Sequence, residues 1–135
     1  MVKGINVNNT SFESGQTLTV VGVPNSDATN FTMNIGPDEK DITMHISSRF
    51  GAHGVNNEVV YNSFHNGEWG LERREGGFPF HHGKEFKIVV QFTPTEFLVT
   101  LTDGSEIHFP NRMDEKKCTV ISLEGDVRIT SFQIK

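Results

Sequence analysis

The sequence predicts an all-β protein, an antiparallel sandwich or barrel of about ten short strands. Three observations carry this. Turn signals recur about every ten residues: "SGQ" at 14, "GVPN" at 22, "GPDEK" at 36, "HNG" at 65, "EGG" at 75, "HHGK" at 81, "TDGS" at 102 and "EGD" at 124. The runs between them are rich in Val, Ile, Phe and Thr, and several alternate apolar with polar residues, the period of half-buried strands. No segment of about ten or more residues reads as an amphipathic helix. "NRMDEKKC" reads as one short helical turn at most.

In chain order the candidate strands are "QTLTVVGV", "NFTMNI", "DITMHISSRF", "NEVVYNSF", "EWGLERRE", "KEFKIVVQF", "EFLVTLT", "EIHFP", "CTVISL" and "VRITSFQI". Alternation puts Phe86, Ile88 and Val90 on one face of their strand. It puts Ile42, Met44 and Ile46 on one face of "DITMHISSRF", and Thr43, His45, Ser47 and Arg49 on the other.

The chain has 135 residues, 35% hydrophobic and 21% charged, which suits one soluble domain spanning 1–135 with a single core. No apolar run approaches a bilayer span, so membrane insertion is not expected. "MVKGINVNNTSF" lacks the apolar stretch of a signal peptide, so synthesis in the cytosol is expected. For the same reason the N-x-S/T matches at Asn8, Asn9 and Asn30 are not expected to carry glycans. The single cysteine, Cys118, has no partner for an internal disulfide and reads as a packed strand residue. A net charge of −5 without a basic block argues against nucleic acid as a partner, because phosphate binding needs a positive face.

The polar face of "DITMHISSRF" is unusual for a solvated strand. His45, Ser47 and Arg49 offer an imidazole, a hydroxyl and a guanidinium along about 14 Å. "NEVVYNSF" adds Asn62. "EWGLERRE" adds Trp69, the only tryptophan, with Glu72 and Arg74 on one face by period two. An indole among such groups suits a sugar: the ring covers apolar C–H patches, and the polar side chains satisfy hydroxyls that both donate and accept. A buried Trp69 beside a merely solvated charged strand is the alternative.

"HISSRF" at 45–50, "AHG" at 52–54, "VVYNS" at 59–63, "WGLERR" at 69–74, "FPF" at 78–80 and "FPNR" at 109–112 stand in the order and spacing of the galectins, which the chain resembles over nearly its whole length. The resemblance implies a two-sheet jelly-roll (concanavalin-like) sandwich of about ten or eleven strands that binds β-galactosides such as lactose or N-acetyllactosamine, without catalysis or cofactor. It implies that His45 and Arg49 meet the axial 4-hydroxyl of galactose and Asn62 the 6-hydroxyl. Trp69 lies under the galactose ring. Glu72 and Arg74 reach the second sugar and orient Arg49, and His53 stands beside that sugar. The partners implied are galactoside-bearing glycans and glycoproteins, and a second copy of the chain, because "KGINVNN" and "VRITSFQIK" resemble segments that pair prototype galectins. The protein would then be cytoplasmic, and able to act outside the cell after export without a signal peptide.

Two departures stand out. The family usually has Asn-Pro where this chain has Ser47-Ser48, and a serine hydroxyl is expected to reach the sugar only through water. The family often has Asp after A-H-G, and this chain has Val55, which removes a carboxylate that would buttress the arginines. Because only neutral imidazole accepts a hydrogen bond, binding is expected to weaken through about pH 6.5, with Arg49 drawing the midpoint lower.

Three rivals fare worse. A glycosidase needs a protonated carboxyl, yet Glu72 beside Arg49 and Arg74 should stay ionised, and Glu75 points to the other face. A small lipid-binding barrel needs a lid helix that the sequence lacks. A metal site at His81-His82 is disfavoured, since adjacent strand residues face opposite ways.

Overall fold

The computed structural model of the chain describes residues 4–51 and 56–135. Thirteen strands form among them: β1 (Gly4–Val7), β2 (Phe12–Glu13), β3 (Thr17–Pro24), β4 (Asn30–Gly36), β5 (Ile42–Arg49), β6 (Glu58–His65), β7 (Glu68–Trp69), β8 (Phe86–Phe92), β9 (Glu96–Thr100), β10 (Glu106–Pro110), β11 (Lys117–Cys118), β12 (Val120–Gly125) and β13 (Val127–Ile134). Three of these, β2, β7 and β11, are two-residue segments, so the longer strands match the expected number. One sheet has the order β1-β12-β4-β5-β6-β7, a second β10-β9-β8-β3-β13, and β11-β2 form a small third pair, all antiparallel. Among the described residues no helix is long and apolar enough to cross a membrane. "NRMDEKKC" is not helical: a turn at 111–115, held by Asn111, whose Nδ2 donates to the Glu115 carbonyl at 2.8 Å, leads into β11 at Lys117–Cys118.

The two large sheets face each other across a core rich in aromatic rings. Seven of the eleven phenylalanines are buried. Phe31 of the six-stranded sheet stacks on Phe86 of the five-stranded sheet at 5.0 Å, with Phe80 edge-on to both. Phe86, Ile88, Val90 and Phe92 alternate inward along β8, as the sequence pattern predicts.

Strand β5 departs from simple alternation. Ile42 pairs with Phe64 and His45 with Asn62, so Thr43 and Met44 together oppose Ser63. This β-bulge shifts the phase by one residue. Ile42 joins the outer face beside Asn34 and Ser122, while Thr43 turns inward, fully buried against Cys118. The predicted faces hold from Met44 onward.

The segment "EWGLERRE" is not one strand. Asn66 and Gly67, both at positive φ (53° and 79°), close the β6–β7 hairpin, the conformation an Asn-Gly turn favours. Phe64 then pairs with Trp69, but the next bridge joins Tyr61 to Arg73. Three steps along β6 thus face four along the β7 side, a second bulge. Gly70 sits in it, and a Cβ there would lie 2.7 Å from the Arg112 guanidinium.

Candidate functional site

The outer face of the six-stranded sheet carries a row of polar side chains in one register. Asn6, Ser122, Asn34, His45 and Asn62 stand opposite one another across β1, β12, β4, β5 and β6. The row spans about 19 Å at the usual strand spacing. Over its β5–β6 end lies a cavity of about 240 Å³ lined by His45, Arg49, Val60, Asn62, Trp69 and Glu72.

Trp69 is 52% exposed, so it is not a core residue. Its ring leans on Phe64 at 5.0 Å and on His45 at 4.8 Å. Strict alternation would place Trp69 and Glu72, three residues apart, on opposite faces. The bulge after Trp69 puts them in the same cavity.

His45 Nδ1 lies 2.5 Å from Asn34 Oδ1. An amide oxygen only accepts, so Nδ1 carries the proton and Nε2 is left as an acceptor. The Asn34 amide nitrogen in turn faces the Ser122 hydroxyl at 3.5 Å. Burial, reinforced by the Arg49 charge and opposed by Glu72, lowers the His45 pKa to about 4. The ring is therefore neutral near pH 7.

Asn62 has little freedom. Its Oδ1 accepts from the Ser63 N–H at 2.8 Å and from the Arg112 guanidinium at 3.1 Å, and its Nδ2 donates to the Gly70 carbonyl at 3.0 Å. With both lone pairs engaged, Asn62 can meet a ligand only through its second amide hydrogen, as a donor. Arg112 also donates to the Ser63 hydroxyl and the Leu71 carbonyl, and it lies over the Phe109 ring at 4.7 Å.

Arg49 is half-buried. Its Nε donates to Ser47 Oγ at 3.1 Å, and its NH1 lies 3.7 Å from Glu58. Ser47 is only 5% exposed, and its hydroxyl is the acceptor of that Arg49 hydrogen bond. Arg74 bridges Glu58 and Glu72, each at 2.7 Å. Its hydrogen bond holds the Glu72 carboxyl below the usual carboxylate range. His53 and Val55 lie outside the described residues.

Of the expected His45, Ser47, Arg49, His53, Asn62, Trp69, Glu72 and Arg74, the fold gathers His45, Arg49, Asn62, Trp69 and Glu72 around one cavity, with Arg74 adjoining through Glu72 and Ser47 through Arg49. The sequence reading missed Asn34, Glu58, Val60 and Arg112. Period two from Asn62 would have found Val60 and Glu58. Arg112 belongs to the F-P-N-R motif at 109–112, to which the resemblance attaches no binding role. Elsewhere, His82 lies 2.8 Å from the Ala28 carbonyl and stacks on Phe50, so it is part of the packing. Cys118 is fully buried, and burial pushes its thiol up to about 12, which leaves it inert.

An antiparallel sandwich with an outward-facing indole beside a hydrogen-bonding row has the build of a sugar-binding lectin. The Galactoside-binding lectin profile matches residues 4–134, and the chain belongs to that family, the galectins. It is 51% identical to a beta-galactoside-binding lectin of Electrophorus electricus over 93% of this chain and 92% of that one. Among solved structures, a Dario rerio galectin-1-L2 is 51% identical with a TM-score of 0.90, covering 96% of this chain and 98% of that one. Congerin II liganded by lactose and MES is 37% identical with a TM-score of 0.90, covering 98% and 99%. A homodimeric agglutinin from chicken liver, CG-16, is 33% identical with a TM-score of 0.89, covering 98% and 99%.

Proposed function

We propose that this protein, as one carbohydrate-recognition domain, binds β-galactosides such as lactose without chemically changing them. The observation that carries this reading is the cavity that joins Trp69 to His45, Arg49 and Asn62. The indole supplies a flat apolar plate for the ring C–H face of galactose. His45 Nε2 accepts from the axial 4-hydroxyl and Arg49 donates to the same oxygen, a pairing that an equatorial hydroxyl would miss. Asn62 donates to the 6-hydroxyl oxygen. Glu72 and Arg74 meet the second sugar, and Ser47 acts through Arg49.

Catalysis does not fit this arrangement. Glu72, held ionised by Arg74, is a poor general acid. Titration with lactose, and with glucose as the equatorial control, tests the reading in a calorimeter. Lactose binding without release of glucose supports it. Equal affinity for both sugars, or none for lactose, overturns it.

The protein also pairs, on this reading, as a two-fold dimer. β1 and β13 are edges of their sheets and adjoin, with Ile5, Val7, Phe132 and Ile134 only partly covered. The homodimeric chicken agglutinin of the same fold supports this. Two sites on one dimer would cross-link glycoproteins, in the cytoplasm or after export from the cell. Sedimentation tests the pairing: a species of twice 15.1 kDa supports it, and monomer alone at micromolar concentration does not.

A further inference from the structure

Glu58 begins β6 and was not among the expected binding residues. It stands directly opposite Arg49 in the β5–β6 register. Its Oε1 lies 3.7 Å from Arg49 NH1. From the other side, Arg74 NH1 donates to both of its oxygens, at 2.9 and 2.7 Å. Arg74 commits its Nε and NH2 to Glu72, at 3.2 and 2.7 Å. The result is an alternating chain, Arg49–Glu58–Arg74–Glu72, along the rim of the sugar cavity.

The consequence of removing each link differs. Arg49 keeps a second tether, Ser47 Oγ. Arg74 has no tether other than its two carboxylates among its described hydrogen bonds. Without the Glu58 charge, two guanidinium groups would converge on one point with no anion between them, and like charges at that distance repel. Arg74 would then swing on Glu72 alone. Arg74 does not line the galactose cavity, whereas Glu72 does, so a displaced Arg74 disturbs the rim first.

We propose that Glu58 is a positioning residue that sets the site's preference for a disaccharide over galactose alone, by holding Arg74 where the second sugar lies. It supplies from β6 the carboxylate that Val55 cannot. The inference rests on the galactoside reading above. Glu58 is only about two-thirds covered, and exposed ion pairs contribute little to stability, so its role should register in selectivity and not in folding.

Glu58→Gln keeps the side-chain size and removes the charge. Parent and variant are titrated with lactose and with methyl β-galactoside, and their melting temperatures compared. Lactose affinity should fall about five- to tenfold and methyl β-galactoside affinity less than about twofold, at unchanged melting temperature. Glu58→Asp, which restores the charge on a shorter arm, should recover part of the lactose affinity. Equal losses for both ligands would reduce Glu58 to a structural role and overturn the proposal, as would no loss for either. A parent that binds neither ligand overturns the galactoside reading itself. A parent that binds both, with a ratio insensitive to Glu58→Gln, overturns only this inference.

Discussion

The Nδ1 atom of His45 lies 2.5 Å from Oδ1 of Asn34, directly across the β4–β5 register. This contact fixes which imidazole nitrogen accepts, and the burial that accompanies it decides when the ring can be charged. The pKa of about 4 moves the expected acid limit well below the pH 6.5 that an ordinary histidine suggests. Lactose affinity should therefore stay flat from pH 7.5 to 5 and fall near pH 4. Between 6.5 and about 4 the unfolded chain holds a proton that the folded one does not. Stability should accordingly decline as pH falls through that window. Asn34→Asp places a carboxylate against Nδ1, which raises the ring's pKa. The fall in lactose affinity should then begin nearer pH 6. A parent that loses affinity at pH 6.5 would show that His45 is far more solvated than its position indicates.

Trp69→Ala should remove most galactoside affinity, at least about 2 kcal/mol, the scale of an aromatic anchor. Its half-exposed ring rests on Phe64 and His45 and not in the core, so stability should change by about 1 kcal/mol or less. Calorimetry and a thermal melt on the same sample separate the two. Retained binding with a large drop in stability would make Trp69 a structural residue.

Ser47→Ala should weaken lactose binding by about 0.5–1.5 kcal/mol, one net hydrogen bond, because Arg49 loses its partner at Nε. Ser47→Asn should strengthen binding by a similar amount, since an amide can accept from Arg49 and still donate to the sugar. Weaker binding by the asparagine variant would mean that the space between Thr32 and Val60, its register neighbours, admits only serine.

Tyr61 is fully buried, and its hydroxyl has no hydrogen-bond partner among the described residues. Burial raises its pKa well above the usual phenol range. Tyr61→Phe should leave stability unchanged or raise it by up to about 1 kcal/mol, because it removes a desolvated polar group. A denaturant melt reads this directly. A loss of more than about 1 kcal/mol would show that the hydroxyl makes a bond of real value.

Much of this protein was legible in its sequence. Turn residues and alternating runs located the long strands, because a half-buried strand must alternate and a tight turn needs Gly or Asn where φ is positive, as at Asn66 and Gly67. Chemical type singled out Trp69, His45, Arg49 and Asn62, since each is an odd choice for a merely solvated face. Tertiary structure decided how these residues meet. The bulges at Thr43–Met44 and after Trp69 each insert one residue against a fixed partner strand, and each inverts the faces beyond it. Period-two reasoning would separate Trp69 from Glu72, and the second bulge unites them. Cross-strand register decided the rest. Asn34 meets His45, and Glu58 meets Arg49, only because the register of antiparallel pairing sets these particular residues side by side on neighbouring strands. Side-chain alternation is a local property of the chain, whereas register and bulges are set by the strands it pairs with.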